Sequence, residues 1–495
     1  MRPYLRENLS HDPVHGYIPF TSDKELEQNE VSERQIIDHP WVQRLRFIHQ
    51  LQTAWWVYPT AEHTRFQHVV GVMHLASRFV GELYPSLKEV CPDCPSRGYV
   101  ETLLRMAGLL HDVGHGPFGH FFDEHFLRDF GLTHEILGAA IIKADLAPLL
   151  SRLRRNPNSS LEENEQLDPE HIAWLIQRPK TQPPLPLGEG RGEGVGTKIQ
   201  LTDPHPNPLP KGEGTKPKWL RFLRSLLSGI YTIDNLDFVL RDAFMSGYSQ
   251  RAYDLDRLLH YSFFSEHGLT IHDKGIETLI RFMSVKAELF RTIYFHRTVR
   301  AIDLALKDLF LDSKPYLFAG SPLENLDQYL HFTEFSLLVD VQRWTESADA
   351  KQRGLGRRWR ELIARQIPWV TVCQRSLVYS ENDSEQASIF SDNRFVEQKL
   401  RDLLPAELKS LPLRVDIART TFRPHTSGPA AGQNFLYDSA QNRIRPLAAH
   451  DLFRRLPLSH RLCRIYAATN EHGGPIARAL DELLGAGGVD DLTNM

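Results

Sequence analysis

The sequence predicts a mainly α-helical protein that carries a small mixed α/β lobe towards its C-terminal end. Three observations predict it. Apolar residues recur at helical spacing from the thirties to about residue 311, and between 360 and 450 that period gives way to shorter alternating stretches. The length of 495 residues also exceeds what one hydrophobic core usually serves, which favours a large helical body with an appended lobe.

The elements follow in order. From Asp38 to Gln50 the chain sets Trp41, Leu45 and Ile48, with Ile37 just ahead, at helical spacing, and Pro40 suits a first turn, so a short amphipathic helix is expected. Residues 65 to 84 carry Phe66, Val69, Met73, Ala76 and Phe79 among other apolar positions, which predicts a helix buried on most sides with His68 in its first turns. A third helix is expected at about 99 to 112, ended by the glycines and proline of Val113-Gly114-His115-Gly116-Pro117-Phe118-Gly119. His111 and Asp112 thus stand where a helix stops. Between about 178 and 217 a Pro/Gly-rich low-complexity texture cannot bury enough side chain to offset its ordering entropy, and it is expected to be a disordered insertion. Order resumes at Lys218-Trp219-Leu220 with a long helical pattern through Arg241, then one or two long helices over 276 to 311. Stretches such as Ser376-Leu377-Val378-Tyr379 and Leu413-Arg414-Val415-Asp416-Ile417 supply the strands of the lobe.

Composition excludes several classes. No stretch approaches about 18 uninterrupted apolar residues, and the N-terminus lacks the apolar run of a signal peptide, so a cytoplasmic protein with no membrane contact is expected. The formal charge is −4 and there is no long Lys/Arg block; Arg357-Arg358-Trp359-Arg360 is most simply a solvated helix face. Of four cysteines only Cys91 and Cys94 are close, and a structural zinc site would need a second pair, so a turn between helices is the simpler reading. The 23 histidines draw attention instead, because imidazole is both a metal ligand and a proton carrier near neutral pH.

The strongest chemical signal is His111-Asp112. Adjacent His and Asp at a helix end can turn one nitrogen and one oxygen to the same ion, a set that suits divalent transition metals and leaves positions open for water and phosphate. The dipeptide alone means little. Its distant partners are His68, in Arg65-Phe66-Gln67-His68, and Asp234, in Thr232-Ile233-Asp234-Asn235-Leu236-Asp237.

This order of His, His-Asp and Asp resembles the HD-domain phosphohydrolases from about Arg44 to Asp242. It is similar, within them, to the dNTP triphosphohydrolases, the branch of the vertebrate enzyme with a sterile-alpha-motif domain and of bacterial dGTPase-like relatives. The resembling runs are Asp12-Pro13-Val14-His15-Gly16, 38 to 51, 65 to 68, 111 to 120, Thr133-His134-Glu135 and 234 to 242. The resemblance implies an HD-domain helical core and a divalent metal ion (Mn, Mg, Fe or Zn) on His68, His111, Asp112 and Asp234. It implies His115, Asp123 and His134 as the catalytic group, with His134 and Asp123 a coupled acid/base pair and His115 and His120 along the phosphate chain. Arg65 would pair with a phosphate through its planar fork, though an ordinary surface ion pair is an open alternative. Gln50 and Leu51 match sugar-contacting positions, and Asp242, Lys286 and Tyr294 fall on the nucleotide-facing stripes. The implied reaction is attack of water on the α-phosphorus, releasing deoxynucleoside and triphosphate, with dGTP the first substrate to try.

The same resemblance matches Asp38, Gln43 and Arg46 to positions that read a guanine base, and His296 with Arg297 to a nucleotide-contacting pair at a subunit contact. It implies a regulatory site for a GTP or dNTP activator within residues 1–60, an HD catalytic domain at 61–320 and a C-terminal lobe at 321–495. A homo-oligomer, dimer or tetramer, follows from a retained regulatory site; the alternative is that Asp38 is a plain helix cap and Arg46 a surface charge. Two departures weaken triphosphate recognition. Asn235 and Phe238 stand where the relatives carry Lys and Tyr, and Lys286 and Phe290 where they carry Arg and His. Each lost charge-assisted hydrogen bond is worth roughly 1.5–3 kcal/mol. Two further readings therefore stay open: an HD-type phosphatase or phosphodiesterase on a monophosphate or signalling nucleotide, and a scaffold that senses nucleotide or weakly binds single-stranded nucleic acid.

Overall fold

A computed structural model describes residues 7–24, 26–177, 216–379, 390, 392–421, 434–454, 456–457 and 459–485. The expected insertion at 178–217 lies, except for its last two residues, outside the described residues. The chain is mainly helical, with small sheets at its N-terminal end, in its middle and in the C-terminal lobe.

The chain opens with an antiparallel hairpin, Glu7–Asp12 against Gly16–Thr21, in which Asp12 faces Gly16 across the turn. The helix expected over 38–50 is instead two short pieces, Pro40–Gln43 and a tighter 3-10 turn, Arg44–Phe47, preceded by a separate helix, Glu33–Ile37. Pro40 is the cause. Its ring forces His39 into an extended conformation (ψ 139°), which ends one helix and starts the next. The helix Arg65–Val90 forms as its apolar pattern requires, with Thr64 and Gln67 closing its first turn as a capping box. It packs against Arg97–Leu110, whose residues are buried almost throughout, and both belong to one large core with Leu236, Phe282 and Phe310.

The long pattern expected from 218 through 241 is also divided, into Lys218–Arg224 and Ile233–Met245, and Thr232 caps the second piece by accepting from the Asn235 amide. The 276–311 region gives two helices, Ile276–Leu289 and Arg297–Leu317, joined through a π-helical turn, Phe290–Tyr294.

The lobe is smaller than the 321–495 expected. Helices Leu326–His331, Glu334–Arg343 and Ala350–Ile363 bury Tyr329, Leu337 and Trp359 in the main core. Asn434–Asp438 also returns to the body, pairing in parallel with Gly268–His272. What remains is an antiparallel sheet of Val370–Tyr379, Ser459–Ala467 and Leu413–Thr421, with the middle one in sequence lying at an edge. Helices Asn393–Leu403 and Gly473–Leu484 cover it, and Val396, Leu400, Ile465 and Leu480 form a second core. In the 357–360 run the arginines are exposed and Trp359 is buried, its indole donating to Ser313. Cys91 and Cys94 are buried in a turn closed by the Cys94 amide on the Cys91 carbonyl, 2.9 Å. No helix among the described residues is long and apolar enough to cross a membrane.

Candidate metal centre

Three helices bring the expected ligands together. His68 projects from the first turn of Arg65–Val90, His111 and Asp112 follow the end of Arg97–Leu110, and Asp234 sits in the first turn of Ile233–Met245. The ligand atoms of His68, His111 and Asp112 lie within 4.8 Å of one another. Asp234 Oδ1 stands 3.1 Å from His68 Nε2 and 3.7 Å from His111 Nε2.

The hydrogen bonds fix which atoms face the centre. His111 Nδ1–H donates to the Gly108 carbonyl at 2.8 Å, so the lone pair of Nε2 points inward, buried and without a hydrogen bond. His68 Nδ1–H donates to Asp237 at 2.8 Å, which turns its Nε2 to Asp234. Two imidazole nitrogens and two carboxylates converging in a buried pocket are a donor set that fits a divalent cation, which would take the place of the proton on His68 Nε2. Burial alone would lower the His68 pKa, but hydrogen bonds to Asp234 and Asp237 raise it to about 10. Burial likewise opposes ionisation of Asp112, yet His111, Arg65 and His115 hold its carboxyl well below the usual range.

Beside this group lies a second one. His115, His120, Asp123 and His134 also have ligand atoms within 4.8 Å of one another. His134 Nδ1–H donates to Asp123 at 2.5 Å, and the His115 ring stacks on His134 at 3.7 Å between centroids. Both ring nitrogens of His115 are buried without a hydrogen bond, and its Nε2 is 3.3 Å from Asp112 Oδ1, so the two groups adjoin. Burial lowers the pKa of His115 and brings that of His120 to about 4. His134 goes the other way, because Glu135 and Asp123 outweigh its burial. Burial works against Asp123 too, but His134 and His115 keep it well below the ordinary carboxylate range.

The remaining expected residues divide. Arg65 reaches the pocket, where its guanidinium donates to Asp112 at 2.6 Å in a buried pair, not the surface ion pair that sequence reading left as the alternative. Gln50, Asp242 and Tyr294 are joined through His63: the Gln50 amide donates to the His63 carbonyl at 3.0 Å, His63 Nε2–H to Asp242 at 2.7 Å, and the Tyr294 hydroxyl to the other Asp242 oxygen. Leu51 is buried beside them in sequence. Lys286 lies over the Phe238 ring, and burial brings its pKa down to about 8 against the pull of Asp234. Gln43 Nε2 donates to the Ile37 carbonyl and its Oε1 accepts from Arg46 Nε at 2.7 Å, while the Asp38 carboxylate pairs with the exposed Arg34. His296 and Arg297 lie elsewhere, at the start of Arg297–Leu317 against Tyr58 and Tyr466. Among the described residues no hydrogen bond, ion pair or ring contact joins the two sets.

Three residues were not assigned from sequence. Asp237 holds His68, His15 holds Asp237, and His63 holds Asp242. Asp237 carried a local signal, since it follows Asp234 by three residues on a helix and shares its face.

A family model described as the HD domain matches residues 65–179. The protein YwfO of Bacillus subtilis, itself described as uncharacterized, is 26% identical over 71% of this chain and 70% of its own length. The deoxynucleoside triphosphate triphosphohydrolase SAMHD1 of Bos taurus is 29% identical over 62% of this chain, and that of Homo sapiens 26% identical over 92%. The chain spans 47% of the bovine enzyme and 69% of the human one. A crystal structure of a hypothetical protein from Aquifex aeolicus shares the fold, with a TM-score of 0.63 over 96% of this chain and 100% of that one at 20% identity. The matched segment holds His68, His111, Asp112 and the whole second histidine group, so over the residues that carry most of the candidate centre this chain matches the HD domain.

Proposed function

We propose that the chain is a metal-dependent nucleotide phosphohydrolase and, within that class, a dNTP triphosphohydrolase with dGTP the first substrate to test. The observation that carries this reading is the junction of the two groups at 3.3 Å between Asp112 and His115, which sets a metal-ligand set beside a proton-handling set in one pocket. His68, His111, Asp112 and Asp234 would hold the cation, whose chemistry is to polarise water and phosphate oxygens. Manganese, magnesium, iron and zinc all suit such ligands to different degrees.

In the proposed reaction water attacks the α-phosphorus, the bond from phosphorus to the 5′-oxygen breaks, and triphosphate and deoxynucleoside leave. The departing oxygen needs a proton, and His134, held by Asp123, is the group to move it, with His115 beside it and His120 along the phosphates. Gln50, Leu51, Asp242 and Tyr294 form the sugar end, with Lys286 a further cation and Arg65 a phosphate partner once released from Asp112. The names of the SAMHD1 relatives support a triphosphate substrate. Activation by GTP or a dNTP at Asp38, Gln43 and Arg46, with His296 and Arg297 contributed across a homo-oligomer contact, completes the reading, because one chain keeps the two sets apart.

Incubation with each dNTP, with and without GTP and Mn²⁺, followed by ion-exchange separation, tests it. Deoxynucleoside plus intact triphosphate, lost in Asp112→Ala, is expected; no turnover of any dNTP by protein with bound metal would overturn it. One observation favours a second reading. Arg65 is engaged with Asp112, which leaves fewer cations for three phosphates and suits a monophosphate or signalling nucleotide with orthophosphate or a monoester as product.

A further inference from the structure

Asp237 is fully buried on Ile233–Met245, one turn on from Asp234. Its carboxylate accepts from three side chains: His68 Nδ1 at 2.8 Å, His15 Nε2 at 2.6 Å, and Arg241 through Nε at 2.8 Å and Nη2 at 2.9 Å. His15 belongs to the turn of the N-terminal hairpin, 222 residues away in sequence. Asp12, at the mouth of the same turn, accepts the third guanidinium nitrogen of Arg241 at 2.7 Å and the amides of Val14 and His15. The hairpin turn, Arg241 and Asp237 thus close a ring of hydrogen bonds around the back of His68. Gly71, one turn beyond His68, leaves room for it: a Cβ there would stand 2.1 Å from Asp237 Oδ1.

We infer that the N-terminal hairpin is part of the metal centre, with His15 a positioning residue that acts on the cation through Asp237 and His68. The inference rests on the metal reading given above. An imidazole has two nitrogens, and only the one without a proton can bind a cation. Asp237 takes the Nδ1 proton of His68 as a hydrogen bond and so dedicates Nε2 to the centre. Asp237 can do this only while its own position is fixed, and His15 and Arg241 fix it from opposite ends. His15 is suited to the part because its side chain is 1% exposed and Asp237 is its only hydrogen-bonded side chain among the described residues.

The test is Mn²⁺ affinity of the full chain, measured by competition with a fluorescent chelator for wild type, His15→Leu and His15→Gln, together with thermal unfolding of each in EDTA. His15→Leu removes the donor and is expected to weaken Mn²⁺ binding at least ~10-fold, while His15→Gln, whose amide still donates to Asp237, stays within ~3-fold of wild type. A purely structural role predicts equal loss of unfolding temperature with unchanged Mn²⁺ affinity, and that result would overturn the inference. So would equal weakening in both variants. A wild-type chain that binds neither Mn²⁺, Fe²⁺ nor Zn²⁺ would overturn the metal centre itself and His15 with it, an outcome distinct from normal wild-type binding that His15→Leu leaves intact.

Discussion

The second histidine group depends on one backbone position. Gly119 precedes His120 with φ 56° and ψ −121°, and a Cβ on it would lie 2.2 Å from the Arg65 guanidinium. Gly119→Ala is therefore expected to cost about 1–3 kcal/mol of stability from the backbone alone and to push Arg65 off Asp112; urea unfolding and turnover of whichever nucleotide proves to be substrate would show both. His74 makes a pH prediction. Burial, then His15, Arg105 and Arg78, bring its pKa down to about 3, with Asp12 pulling the other way. A folded-state pKa below the unfolded 6.5 means its contribution is complete above pH 6.5 and is lost as pH falls below it. His74→Gln is expected to flatten the fall in stability between pH 7.5 and about 5, and an unchanged slope in urea titrations would refute the assignment. At this scale the candidate ligands stand out because His111 and Asp112 are adjacent and their partners follow in the order the resemblance implies. His15 and Asp237 were not assigned: their contact crosses the fold, and no period or spacing in a sequence records a hydrogen bond between a hairpin turn and a distant helix.

Elements explain why the site holds its shape. The 111–119 segment is a turn between helices, and the carbonyls of Gly114 and His115 take donors from outside it. Arg44 supplies the one for His115. Buried in the 3-10 turn Arg44–Phe47, it donates to the carbonyls of His115, Tyr329 and Phe332, while the Tyr329 hydroxyl donates to the Gly114 carbonyl at 2.8 Å. The break in the expected 38–50 helix matters here, because Pro40 resets the chain direction and the turn after it aims Arg44 inward. Sequence period alone read this region as one short amphipathic helix and gave Arg44 no part in it. Arg44→Met should leave three buried carbonyls short of donors and cost about 3 kcal/mol or more. Arg44→Lys, which retains a charge but not the planar fork, should fall between it and wild type. Chemical denaturation of the three proteins checks the order, and a Met variant as stable as wild type would remove Arg44 from this role.

Among the described residues the molecule has two large cores and a small apolar cluster of Phe295, Ala418 and Leu462 besides, and the boundary was the least legible feature of the sequence. Strand-like stretches after 360 announced a lobe, but nothing in their composition told that Asn434–Asp438 would pair with a strand of the body or that Trp359 would fill the main core. Those are long-range choices, made by which apolar faces find each other. The lobe is tied to the body at Arg297–Leu317: the Tyr466 hydroxyl donates to the Arg297 carbonyl at 2.9 Å, and Arg300 makes a two-pronged pair with Asp416 at 3.0 and 2.6 Å. Asp416 is 1% exposed and Arg300 8%, so little solvent screens the pair. Taking away one partner of a buried pair costs up to roughly 3–5 kcal/mol, and here Asp303, 3.5 Å from Arg300, offsets part of that loss. Asp416→Ala should thus unfasten the lobe before it unfolds the body, since Val396, Leu400, Ile465 and Leu480 pack apart from the main core. The expected result is a low-temperature calorimetric step absent from wild type and earlier proteolysis within the lobe, with the higher transition preserved. A single transition shifted as a whole would instead mean that the two cores unfold as one cooperative unit, and that Arg300 and Asp416 serve the entire chain rather than the seam.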